Sequence, residues 1–437
     1  MAKHRLLIKS AKQVVQVVNN GARVLTGKDM RHLSILDASE DGDDGLSVGL
    51  WMDGRICAVG PDKEIQEQYD DSQFDNIVDA TGQCLVPGLV DGHTHAVWAG
   101  DRVHEFAMKL AGATYMDVHK AGGGIHFTVG HVRDSSEEEL YAQLKQHASR
   151  MLAAGTTLVE VKSGYGLDVD TEMKMLAAIE RAKNDRSLPI DISSTFCGAH
   201  AVPKHKTAQE ATTDVVDVQL PRLQQLMDNG QLHVDNIDVF CEQGVFSVEQ
   251  TRRILTAGTN MGLAINFHGE ELHRLNSAEM GAELGARAIS HLEKVSEAGI
   301  EAMSRAGSIG VVLPTTAYIL RLTPPPVRAM IDAGMAVALG SDFNPNAHCL
   351  AMPIVMHLAC VLLHMSMEEA LVAATINGAA SLGRADTQGS IEVGKQADIL
   401  ILDVPRWEHL IYQIGSHQHV IRDVVKNGVV VHSRAET

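Results

Sequence analysis

Residues 85–95 read Leu-Val-Pro-Gly-Leu-Val-Asp-Gly-His-Thr-His. An apolar run, broken once at Pro87-Gly88, ends in two histidines separated by a single residue. Side chains alternate along a strand, so His93 and His95 are expected on one face at the carboxyl end of a buried strand. Two imidazoles placed that way can grip one metal ion. In a chain with 22 histidines an isolated His-x-His is weak by itself. The remaining ligands must come from other parts of the sequence.

Beyond His95 the texture is of strands alternating with amphipathic helices. Strand-like runs recur at 157–161, 190–197, 237–241, 263–268, 288–291, 309–313 and 337–341, and helical patterns at 136–154, 170–182, 248–257 and 277–284. Counting the run before His93 gives eight strands, the pattern of an α/β protein built as a (β/α)8 TIM-like barrel. A doubly wound sheet is the rival, but no Gly-x-Gly-x-x-Gly follows the first strand. Residues 1–86 are β-rich, with short runs at 6–8, 13–18, 47–52, 55–59 and 76–79, and β-texture returns after Gly389 with a turn at Asn427-Gly428. The expected organisation is a barrel over 87–388 beside a small composite β-sandwich domain formed by 1–86 and 389–437. The acidic stretch 40–45 reads as a solvated hairpin tip rather than a calcium loop. A glycine run stands at 122–124.

At 437 residues, 45% hydrophobic and 21% charged, the chain has the makeup of a soluble globular protein of one large and one smaller domain. A formal charge of -18 argues against nucleic acid or an anionic membrane as partner. Six cysteines without Cys-x-x-Cys spacing suit reduced thiols in the cytoplasm. No run approaches the roughly 20 apolar residues that span a bilayer, and no signal-peptide core follows the N-terminus.

In such a barrel the chemistry gathers at the carboxyl ends of the strands. The first ends in His93 and His95, the fifth in His268 with Glu271 three residues on, the sixth in His291, and the eighth in Asp342 with Asn344 behind it. Any one of these is unremarkable; together they form a set. His93, His95, His268 and Asp342 make a nitrogen and oxygen ligand set for one divalent metal ion, zinc or iron, with room for a water. Such an ion lowers the pKa of bound water to about 7. Asp342 is the best placed base, and His291 can hydrogen-bond an oxygen becoming anionic. Glu271 can contact substrate nitrogens or shuttle a proton.

These motifs, with the β-domain signatures 87–95 and 394–398 (Gly-Lys-Gln-Ala-Asp), resemble the amidohydrolase superfamily across essentially the whole chain. Longer matches resemble the imidazolonepropionase family: 93–102 with Glu105-Phe106, 160–167, 198–203, 267–271 and 341–345. That resemblance implies a small-molecule substrate, 4-imidazolone-5-propanoate, opened to N-formimidoyl-L-glutamate in histidine degradation, and a homodimer. It also implies substrate contacts from Arg102, Tyr165, His200, Glu271 and Asn344. The residue chemistry agrees, since Arg102 can hold a propanoate carboxylate bidentately and Tyr165 sits in a glycine-flanked loop. The competing readings are a rim ion pair for Arg102 and a structural strand-end residue for His200. The chain departs from the family's bacterial members after Pro345, where Asn346-Ala347 replaces Gly-Thr.

Three rivals remain. A two-metal site bridged by a carboxylated lysine needs that lysine on the fourth strand, whereas Lys162 follows the second and the fourth, 237–246, contains no lysine, leaving its Glu242 as the bridging alternative to a single metal. A cytosine- or guanine-type deaminase shares His-x-x-Glu, but Arg102 and Tyr165 favour an acid-bearing substrate. A catalytically dead scaffold is expected to lose ligands, and this chain keeps all four.

Overall fold

Eight parallel strands form one sheet in sequential order: Leu89–Asp91, Thr156–Lys162, Asp191–Ala199, Asn236–Cys241, Ala264–Gly269, Ala288–His291, Ile309–Val312 and Val337–Leu339. The coordinates are a computed structural model describing residues 4–38, 44–112 and 123–434. Most of the acidic stretch 40–45, and Gly122 of the glycine run, lie outside the described residues. The first and eighth strands close the barrel just beyond their ends, where Asp342 N–H donates to His93 O (2.9 Å) and His95 N–H to Phe343 O (3.0 Å). Every residue of the second strand is buried, as expected of parallel strands covered on both faces.

The helices begin where local chemistry starts them. Ser136 caps Glu137–Ala153 in a reciprocal box with Glu139, Asp168 caps Val169–Lys183, and Ser247 caps Val248–Asn260 with Gln250. Their apolar faces pack on the barrel in one continuous core.

The stretch 85–95 departs from the expected single strand. Cys84–Pro87 pairs with Ile399–Leu402 and with Gln13–Val17 in a separate six-stranded sheet, and only Leu89–Asp91 joins the barrel. Pro87-Gly88 is therefore the crossing between two sheets. A Cβ at Gly88 would lie 2.2 Å from Thr157 Oγ1, so the crossing needs glycine. His93 and His95 stand two and four residues past the strand, on the closing segment, and the bridge at Thr94 with Phe343 keeps them extended and on one side.

The six-stranded sheet runs Val429–Ser433, Ile421–Lys426, Ile399–Leu402, Cys84–Pro87, Gln13–Val17, Ser34–Asp37, and so interleaves both ends of the chain. A four-stranded sheet (Ile56–Pro61, Leu46–Trp51, His4–Ala11, Phe74–Asp79) packs on it across a core of Ile8, Val48, Leu85, Ile399 and Val425. Among the described residues no helix is long and apolar enough to cross a membrane. All six cysteines are free thiols.

Candidate functional site

Four ligand atoms converge at the carboxyl end of the barrel. His95 Nε2 lies 3.1 Å from His268 Nε2, and Asp342 Oδ1 lies 3.5 Å from His93 Nε2 and 3.7 Å from His95 Nε2. Bonds of 2.0–2.1 Å to a tetrahedral ion would separate ligand atoms by about 3.4 Å. The far nitrogens of two rings are fixed: His93 Nδ1 bonds Ser290 Oγ (2.8 Å) and His268 Nδ1 bonds Asp238 (2.9 Å). His93 Nε2 is buried without a hydrogen-bond partner among the described residues. Burial pushes His93 and His95 well below the ordinary histidine range, and pushes His268 down to about 4 against the pull of Asp238. All three rings are thus neutral, the form that ligates metal. The residues fit a divalent ion.

Several partners of these ligands went unread in the sequence. Asp238 also pairs with Lys162 Nζ (2.8 Å), which pairs with Glu160 (2.6 Å), and all three side chains are buried. Burial would raise the Asp238 carboxyl, but His268 and Lys162 hold it well below the usual carboxylate range. Burial would lower the Lys162 ammonium, but Asp238 and Glu160 hold it above the usual lysine range. A lysine must be neutral to be carboxylated, so Lys162 is unsuited to bridging two metals. Glu242, the other two-metal candidate, accepts from the Leu272 and His273 amides (2.9 and 3.3 Å) and faces His273 Nδ1 at 2.8 Å. A charge inside the apolar run Ile237-Asp238-Val239 was the signal for Asp238.

His291 faces two carboxylates, Glu271 Oε2 3.6 Å from Nε2 and Glu293 Oε2 3.7 Å from Nδ1. Burial alone would lower the His291 imidazole, but Glu271 and Glu293 push it up to about 10. Burial raises Glu271 to about 7. Asp342 Oδ2 accepts from the Thr316 hydroxyl. Glu270, His291, Leu292 and Asp342 all adopt left-handed φ (59, 78, 70 and 49°), so non-glycine strain clusters at these strand ends.

The residues expected to touch substrate are drawn to the same end with different freedom. His200 stacks on His95 (4.5 Å between centroids, 10° between planes), and its Nδ1 bonds Gly164 O (3.0 Å). Tyr165 packs 5.7 Å from His95 and 5.3 Å from His200. Its loop is tied from inside by the buried Glu172, which accepts from the amides of Gly164, Gly166 and Leu167 (3.0, 2.8 and 2.8 Å). Arg102 is engaged by Glu105 through Nε (2.9 Å) and Nη2 (2.7 Å), which leaves its Nη1 edge turned the other way. Asn344 is turned into its own loop, donating to Asp342 O (2.7 Å) and accepting from the Asn346 and Ala347 amides (2.7 and 3.1 Å). The backbone of the Asn346-Ala347 pair is thereby occupied, and Asn344 shapes the Asp342 loop instead of standing open to a ligand.

The profile of the amidohydrolase family matches residues 84–431. A protein of Nematostella vectensis named probable imidazolonepropionase is 62% identical over 429 residues, covering 98% of this chain and 99% of that one. A human protein of the same name is 57% identical with the same coverage. An atrazine chlorohydrolase of Arthrobacter aurescens, solved with zinc, shares the fold at a TM-score of 0.71 and 18% identity, covering 98% of this chain and 95% of that one. A guanine deaminase of C. acetobutylicum does so at 0.66 and 16%, covering 98% and 99%. On the strength of the profile and of relatives matched end to end, the chain belongs to the amidohydrolase family and, within it, to the imidazolonepropionases.

Proposed function

We propose that the chain hydrolyses 4-imidazolone-5-propanoate to N-formimidoyl-L-glutamate, the reaction that gives its relatives their name. The observation that carries this is the convergence of His93, His95, His268 and Asp342 beside the His291–Glu271 pair. His93, His95, His268 and Asp342 would hold a divalent ion, which would make hydroxide available at neutral pH. Asp342, fixed by Thr316, takes the proton of the attacking water. The oxygen of that water bonds the ring carbonyl carbon, and the carbonyl oxygen turns anionic against the cationic His291. The carbon–nitrogen bond then breaks, and the ring nitrogen takes up a proton, for which Glu271 is the neighbouring carrier. Arg102 and Tyr165 receive the propanoate carboxylate, and His200, stacked on His95, contacts the substrate beside them.

Zinc or iron as the ion, residence in the cytoplasm and a homodimeric state complete the reading by resemblance. Metal analysis and light scattering of the purified chain check the first and the last. The deciding assay is loss of the ultraviolet absorbance of freshly generated imidazolone propanoate. Activity on hydantoins or cytosine with none on that ring overturns the assignment.

A further inference from the structure

Lys162 is unsuited to bridging metals, yet a wholly buried lysine is costly to a fold. Its side chain is 1% exposed and lies between two fully buried carboxylates. Nζ donates to Glu160 Oε1 (2.6 Å) and pairs with Asp238 Oδ2 (2.8 Å). Each carboxylate reaches a different part of the candidate metal site. Asp238 Oδ1 accepts from both the amide and Nδ1 of His268 (2.9 Å each). Glu160 Oε2 accepts from the amide of Thr94 (3.1 Å), the residue between His93 and His95. Thr94 is held twice more by the second strand. Its hydroxyl donates to Glu160 O (2.6 Å), and its carbonyl accepts from Lys162 N–H (3.2 Å). From the third strand, the buried Thr195 hydroxyl donates to Glu160 Oε1.

We infer that Lys162 is a positioning residue for the metal centre: gripping Glu160 and Asp238 together, it fixes the ligands carried past the first strand against the ligand of the fifth. The inference rests on the metal site of the function proposed above and not on its substrate. Groups behind a ligating histidine orient it, and their loss lowers metal affinity. Without a shared tie, each carboxylate would set only its own ligand. The 3.1 Å between His95 Nε2 and His268 Nε2 would then depend on two separate holds. Through Lys162 the two holds become one unit. Charge alone argues against keeping an ammonium there, because a cation near a bound dication repels it. Geometry is what the ammonium contributes.

The test uses the full chain. It reads zinc affinity by chelator competition and the visible spectrum of the cobalt(II)-loaded protein, whose bands follow ligand geometry. Lys162→Met removes the ammonium and keeps most of the apolar stem. Zinc affinity should fall about 10- to 100-fold, and the cobalt bands should shift. Lys162→Met combined with Glu160→Gln no longer leaves two carboxylates facing each other, which covers the case where the single variant does not fold. The same losses are expected of it. Tighter zinc binding in either folded variant would mean that Lys162 acts on the ion through its charge, and overturns the inference. A lowered melting temperature with zinc affinity and cobalt bands unchanged marks a merely structural residue and overturns it too. A wild-type chain that takes up no stoichiometric divalent ion overturns the metal site and the inference together. A wild type that binds metal but opens no imidazolone ring loses only the proposed reaction, and the zinc affinities still decide the role of Lys162.

Discussion

Arg102 enters the site with one fork of its guanidinium already held by Glu105, whose side chain is 1% exposed. Removing the arginine therefore has two consequences. Arg102→Ala should raise KM for the propanoate substrate by about 10- to 100-fold, the worth of a charge-assisted contact, with metal content intact. It should also lower the melting temperature, because the buried Glu105 loses the two guanidinium donors that hold it; a loss of metal instead would misplace the residue. Glu271 makes a prediction of opposite kind. Its folded pKa of about 7 lies above its ordinary 4.5, so between those values the native state binds more protons than the unfolded one. Its contribution to stability is full below pH 4.5 and is lost as pH rises through 7. In metal-free protein, Glu271→Gln should thus gain on the wild type between pH 5 and 8 by roughly 3 kcal/mol, read by denaturant titration at each pH.

Three loops at this end of the barrel are each anchored by a buried carboxylate accepting backbone amides: Glu172 under 164–167, Glu242 under 272–273 and Glu270 under 275–277. The Tyr165 loop is the most tightly constrained, since Arg133 also grips Gly166 O from outside (2.9 and 3.1 Å). A Cβ at Gly166 would lie 2.7 Å from Glu172 N, which is backbone and cannot yield. Gly166→Ala should therefore displace Tyr165, raising KM about tenfold while metal content stays normal, because no metal ligand rides on that loop. The metal side answers to Asp238. Asp238→Asn should weaken metal affinity by about 10- to 100-fold in a chelator competition, as loss of the group orienting a ligating histidine does. The candidate ligands could be picked out in the sequence because each is an ionisable residue where an apolar strand stops. Their supports could not: Asp238, Ser290 and Thr316 act on partners at least 26 positions away, and nothing in their local pattern names those partners. Asn344 shows the reverse, a residue whose motif was legible while its side chain turned inward.

Eight alternating units announce a barrel because parallel strands buried on both faces leave a continuous apolar signature that helices punctuate. The sheet to which a given run belongs is not written in that signature, which is why 85–95 reads as one strand and folds as two across Pro87-Gly88. The same limit hid the meaning of 394–398. Asp398 from that motif and Asp191, the first residue of the third barrel strand, share the donors Gln388, Gln396 and Lys426. Lys426 Nζ stands 2.6 Å from Asp191 and 2.7 Å from Asp398, and its side chain is 2% exposed. This cluster bolts the composite β-domain to the amino end of the barrel, opposite the end that carries the candidate metal ligands. In barrels of this kind that face serves stability and the other serves chemistry. Lys426→Met removes the cation, keeps most of the apolar volume and leaves Asp398 buried at 4% exposure without its counter-charge. The expected cost is about 3 kcal/mol of unfolding free energy. Because both domains share this joint, the loss should appear as one cooperative transition at lower denaturant, with kcat, KM and metal content at 25 °C unchanged. Two separated transitions would show instead that the β-domain and barrel unfold independently, and that the cluster does not couple them.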